Sequence, residues 1–122
     1  MDIGADKSLY LQIEEFIENN ILRAVFLEEE QVPSTNELAK MFSINPATAA
    51  KGINLLVDEG ILYKKRGIGM FVAKGAKEKI VNIRKNKFYE TYILTAANEA
   101  AALNISREEL ILMLNKALDA GK

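Results

Sequence analysis

The chain has 122 residues and a formal net charge of −1, with 49% apolar and 27% charged residues, the profile of one domain or of a small domain with an appendage. No window approaches the roughly 18 consecutive apolar residues of a membrane span, and the acidic start "MDIGADKS" lacks the apolar stretch of a secretory signal. The absence of Cys and His removes disulfides, thiolate metal sites, Ser-His-Asp triads and most transition-metal sites; it calls for no cofactor and fits a cytoplasmic location.

The first predicted element is an amphipathic helix over Leu9–Phe26. Its apolar positions Leu9, Tyr10, Ile13, Phe16, Ile17, Ile21, Leu22 and Val25 follow helical spacing, with Glu14, Glu15 and Glu18 on the other side. The run Glu28–Glu30 reads as solvated turn. Pro33 resets the chain, and Ser34 with Glu37 forms a capping box that opens a short helix with Leu38, Ala39 and Phe42 inward. After the turn "SIN", Asn45-Pro46 starts a further helix, because Asn is a favoured N-cap and Pro at the first helical position has no N–H to leave unpaired. Ala49, Ile53, Leu56 and Val57 form its buried stripe, and Gly60 is its C-cap. "ILYKK" and "GMFVA" then read as two strands joined by the hairpin signal "RGIG".

Beyond Gly75, Ala76–Leu103 reads as one long helix with Ile80, Phe88, Tyr92 and Thr95 near one face. "LNIS" breaks it, and Ser106 with Glu109 makes a second capping box. The last helix brings Leu110, Met113, Leu114 and Leu118 to helical spacing. Two such helices cannot bury their own stripes, so they are expected to pair with a second copy, and a two-fold dimer is the commonest solution.

The fold class is therefore α+β, mostly α: a winged helix-turn-helix over residues 1–74, then a two-helix dimerisation region over 75–122 with Ile80, Phe88, Tyr92, Leu110, Met113, Leu114 and Leu118 at the interface. Charge distribution suits a nucleic-acid partner better than the total does. Residues 1–74 hold 8 Lys/Arg against 11 Asp/Glu, yet from Lys40 to Lys74 six cations face only Asp58 and Glu59. A protein-interaction module on the same scaffold, without specific DNA binding, is the alternative. Nothing in the chain supplies the polar constellation of an enzyme.

Residues 8–73 resemble the DNA-binding domain of GntR-family bacterial transcription regulators. The pieces that carry this are "LYLQI", "PSTNELA", Thr48, "LLVDEGIL" and "RGIGMFV". The short two-helix tail resembles the YtrA-like branch of that family. The resemblance implies a homodimeric repressor, commonly of transporter genes, without naming an effector, and a two-fold dimer predicts an inverted-repeat operator. The family usually has Arg at the positions of Asn36, Pro46 and Ala50, and Thr at that of Met70, so no arginine role passes to them.

Phosphates position such a domain and base edges specify the site. Ser34, Thr35 and Asn36 stand at a helix N-terminus, where N–H groups and the dipole favour phosphate. Ala47, Thr48, Lys51 and Asn54 occupy the outward arc of the next helix, within reach of phosphates and base edges. Lys64, Lys65 and Arg66 stand at the hairpin tip, shaped by Gly67 and Gly69, where Arg66 suits a narrow minor groove. The run from Arg84 to Lys87 reads as solvated face.

Overall fold

The computed structural model describes residues 3–121, with side chains from Leu9 onward; Met1 and Asp2, part of the acidic start, lie outside it. Helix α1 covers Ile3–Leu22, α2 Thr35–Phe42 and α3 Pro46–Asp58. Strands β1 (Leu62–Lys65) and β2 (Gly69–Val72) make an antiparallel hairpin. Helix α4 (Ala76–Phe88) runs into a π-helical turn at Tyr89–Ile93 and then α5 (Leu94–Ala102); α6 covers Arg107–Ala120.

Helix α1 ends four residues before the predicted end, and the cause is local. Ala24 adopts φ 60°, the Ala24 N–H donates to Ile21 O and the Val25 N–H donates to Asn20 O. This is the left-handed helix stop that usually takes glycine. With alanine there the sequence carries no stop signal, so Val25 is exposed rather than on the buried stripe. The same pair of bonds closes α2 at Ser43 (φ 54°), α3 at Gly60 (φ 75°) and α5 at Asn104 (φ 56°).

The other end signals act as read. The Ser34 hydroxyl accepts from the Glu37 N–H at 3.1 Å, and the Glu37 carboxylate accepts from the Ser34 N–H at 2.9 Å. The Asn45 side chain accepts from the Ala47 N–H at 2.8 Å, with Pro46 opening α3. At α6 the Ser106 hydroxyl accepts from the Glu109 N–H at 3.1 Å, which is the Ser half of the capping box read there.

Ile13, Ile17 and Ile21 bury one face of α1 against a core that includes Leu38, Ile53 and Leu56. Each such side chain contributes about 1.5–3 kcal/mol when fully buried. On α3 the buried positions are Ala49, Gly52, Ile53 and Leu56; Gly52 joins the stripe and Val57 is only half-buried. A Cβ at Gly52 would lie 2.7 Å from Tyr10 O and 3.0 Å from Ile13 Cβ, so only glycine lets α3 approach α1 this closely. Phe16 bridges the next layer, with its ring 5.3 Å from that of Phe42 and 6.0 Å from that of Phe26.

The hairpin has a third member. Glu29 N–H donates to Val72 O, Val72 N–H to Glu30 O and Val32 N–H to Met70 O, with Gln31 bridged antiparallel to Phe71. The Glu28–Glu30 run is exposed, as read, but it is not idle. Glu28 accepts from the Gly75 N–H at 2.7 Å, Glu29 from the Tyr63 hydroxyl, and Glu30 from the Leu27 N–H at 2.8 Å. Glu28 fastens this loop to the start of α4 and Glu29 fastens it to the wing, while Glu30 closes the loop on itself.

The chain divides into compact units Met1–Asn82 and Ile83–Lys122, eight residues beyond the boundary expected after residue 74. The reason lies in the first turns of α4, where Ala76 and Ile80 are fully buried. This corrects the reading of Ile80 as an interface residue: it completes the core of the first unit. The segment predicted as one long helix is helical from Ala76 to Ala102, but in the second unit it contains the π turn, with the Leu94 N–H donating to Tyr89 O. Nothing in "YETYI" signals it. One extra residue in a turn rotates the following helix by roughly 100° relative to a straight one. Within the second unit the stripe predicted through Phe88, Tyr92 and Thr95 is therefore interrupted, although the Phe88 and Tyr92 rings still meet at 5.7 Å.

Candidate nucleic-acid interface

Helices α2 and α3 and the β1–β2 wing carry the sequence-predicted site residues. At the start of α2, Ser34 and Thr35 are half-buried and Asn36 is exposed. The Ser34 hydroxyl is engaged by the capping box, and the Glu37 carboxylate is held below its ordinary pKa, first by the Ser34 N–H and then by its hydroxyl. The α2 N-terminus thus already has a carboxylate upon it, which leaves Asn36 as its exposed polar group.

On α3, Ala47, Lys51 and Asn54 are exposed, and Thr48 and Ala50 are half-buried. Thr48, Lys51 and Asn54 are spaced three apart, so they neighbour one another along one row of the helix. The Lys51 ammonium lies 4.6 Å from the centre of the Tyr10 ring on α1. Alanines at 47 and 50 keep the outer surface of α3 shallow.

In the wing, Leu62 pairs with Val72, Tyr63 with Phe71, Lys64 with Met70 and Lys65 with Gly69. Alternation along β1 puts Tyr63 and Lys65 on one face and Lys64 on the other. The Lys65 ammonium is 4.2 Å from the centre of the Phe71 ring, which stacks on Tyr63 at 5.9 Å. Tyr63 in turn donates its hydroxyl to Glu29, whose hydrogen bond raises the phenol's pKa. Arg66 and Gly67 form the exposed tip, closed by the Ile68 N–H donating to Lys65 O; Gly67 takes φ 77°. Gln31 steadies this loop by donating to Ile68 O at 3.0 Å, and a Cβ on Gly69 would collide with it at 2.5 Å.

Sequence reasoning missed Tyr10, Glu29, Gln31 and Tyr63. Each acts on a residue far along the chain, so local spacing carries no trace of it. The structure also brings Glu14 and Glu18 of α1 to Glu59 at the end of α3, with one oxygen from each within 4.8 Å of the others. Among the described residues no helix is long and apolar enough to cross a membrane.

The profile of the bacterial regulatory proteins of the gntR family matches residues 9–72, which take in α1 from Leu9 onward, the helix-turn-helix and the whole wing. The chain belongs to the GntR family. A putative GntR-family transcriptional regulator from Bacteroides thetaiotaomicron superposes with a TM-score of 0.79 at 33% identity, covering 93% of this chain and 98% of that one. The regulator YurK of Bacillus subtilis is 33% identical over 87 residues, and the matched part is 71% of this chain but only 36% of YurK. The Bacillus subtilis repressor YtrA is 30% identical over 81 residues, 66% of this chain and 62% of YtrA. The DNA-binding domain of AraR, solved in complex with operator ORX1, matches 52% of this chain and 77% of that one at 38% identity with a TM-score of 0.51. This GntR-family chain therefore has a winged helix-turn-helix whose solved counterparts include a domain on its operator.

Proposed function

We propose that this GntR-family chain is a cytoplasmic, homodimeric repressor of transcription that binds an inverted-repeat operator in double-stranded DNA. The observation that carries the reading is the pairing of two exposed surfaces within the family segment. One is the α3 row of exposed Lys51 and Asn54 with half-buried Thr48, flanked by Ala47; the other is the wing tip of Lys64, Lys65, Arg66 and Gly67. A helix lying in the major groove and a basic wing beside it divide base reading from phosphate contact. The AraR domain on operator DNA supports the same use of the surface here. Asn36 and Thr35 at the α2 N-terminus add backbone contacts.

The second unit supports the dimer. Among its described residues only Ala100 is buried, whereas Phe88, Tyr92, Met113, Leu114 and Leu118 are exposed by 51% to 63% and Leu110 is half-buried. An apolar surface of this kind needs cover, and a symmetric second copy is the commonest source. The two-helix tail and the similarity to YtrA favour the YtrA-like branch, and with it control of transporter genes.

An electrophoretic shift on the DNA upstream of its own gene, at two salt concentrations, tests the proposal. The complex is expected to weaken steeply with salt. Footprints are expected on paired half-sites about 10 bp apart or a multiple of that. No shift at low salt would favour a winged helix that docks on another protein.

A further inference from the structure

We propose that Tyr10 is a positioning residue for Lys51, its ring holding the lysine's ammonium at a set place beside the outer row of α3 before DNA arrives. The proposal rests on the DNA-binding reading above and deepens it.

Lys51 is the only cation in the α3 sequence, Pro46–Asp58, so whatever charge this helix offers to DNA comes from one flexible side chain. A lysine loses much of its rotamer freedom when it makes a contact, and a group that already restricts it lowers that loss. The ring of Tyr10 is such a group. The ammonium lies 4.6 Å from its centre, inside the roughly 6 Å over which the negative face of an aromatic ring attracts a cation.

The placement is built into the packing of the two helices rather than left to surface rotamers. The next residue, Gly52, lets the backbone of α3 come so near Tyr10 that a Cβ would stand 2.7 Å from its carbonyl oxygen. Ile13 and Ile53, one helical turn along from Tyr10 and close by Lys51, are fully buried and lock that approach. Lys51 is the middle of the row formed with Thr48 and Asn54, so fixing it fixes the row's charge relative to both neighbours. The wing repeats the device, with the Lys65 ammonium 4.2 Å from the Phe71 ring centre.

The test is a double-mutant cycle with the full-length chain, using as probe the duplexes it enriches from a random-sequence library. Tyr10→Leu is expected to weaken binding about 2- to 5-fold, the range of an exposed cation–π contact. Tyr10→Phe, which keeps the ring, should recover most of that loss. In a Lys51→Ala background Tyr10→Leu should change nothing further. Equal losses in both backgrounds would overturn the proposal, as would tighter binding by Tyr10→Leu. Should Tyr10→Leu fail to fold, Tyr10→4-cyanophenylalanine keeps the shape of the ring and weakens its negative face. It should then weaken binding only when Lys51 is present, and unchanged binding would overturn the proposal. The free protein supplies an independent readout by NMR. The Lys51 ε-methylene protons should be shifted upfield by the Tyr10 ring, and unshifted protons would contradict the geometry. If the library yields no enriched duplex at all, the DNA-binding reading falls, and this proposal falls with it.

Discussion

Gly52 of α3 faces the carbonyl oxygen of Tyr10 so closely that a Cβ added there would stand 2.7 Å from it. The atom in the way is backbone, and Ile13 crowds the same space at 3.0 Å, so neither can yield cheaply. Gly52→Ala would gain about 1 kcal/mol in helix propensity but incur about 1–3 kcal/mol of overpacking. A net loss of stability is expected, read as a lower denaturant midpoint. A more stable variant would mean that the two helices meet less tightly.

Glu37 links the α2 cap to pH. Its pKa is lowered in the folded chain by the Ser34 N–H and hydroxyl. A carboxylate with a depressed folded pKa adds stability that is present above its unfolded value, about 4.3, and is lost as pH falls through the folded value. Glu37→Gln keeps a group able to accept the hydrogen bond but no longer titrates. The fall in stability below about pH 4.3 should therefore be shallower in the variant than in the parent. Parallel acid-unfolding curves would show that the cap contributes nothing through its charge.

Ile80 and Leu114 should separate folding from assembly. Ile80 is fully buried in the first unit, so Ile80→Ala is expected to cost about 2–5 kcal/mol of stability. Leu114 is 52% exposed in the second unit, so Leu114→Glu should leave the first unit folded. In sedimentation equilibrium it should shift the chain toward monomer. Assembly unchanged by Leu114→Glu would move the proposed interface off this face of α6.

Neutralising the wing tip should alter the salt response of DNA binding. Lys65→Ala with Arg66→Ala removes two cations from the exposed end of the hairpin. If both meet phosphates, the slope of log affinity against log salt should flatten by about 2 units, with similar losses on every sequence. An unaltered slope would remove the wing from the interface.

The parts of the fold legible in the sequence are those whose causes lie within a few residues. Ser34 with Glu37, Asn45 with Pro46, and Ser106 ahead of Glu109 each satisfy N–H groups of their own helix, so the residue types announce the element. The wing tip was equally readable, because Gly67 supplies the positive φ that its turn needs. Where a left-handed stop fell on Ala24, the local signal failed, since nothing about alanine marks that conformation.

By itself, then, the sequence determined the order of helices and strands, the caps that start them, and which residues of α3 and the wing stand outward. Tertiary structure alone decided what depends on partners distant in the chain. It tied Glu28 and Glu29 to Gly75 and Tyr63, turned Gly52 inward at Tyr10, drew Ile80 into the first unit, and set Lys51 over a ring 41 positions earlier. The physical reason is range. Capping and helical periodicity act along one element, whereas close approach, shared burial and cation–π attraction exist only once separate elements are packed together.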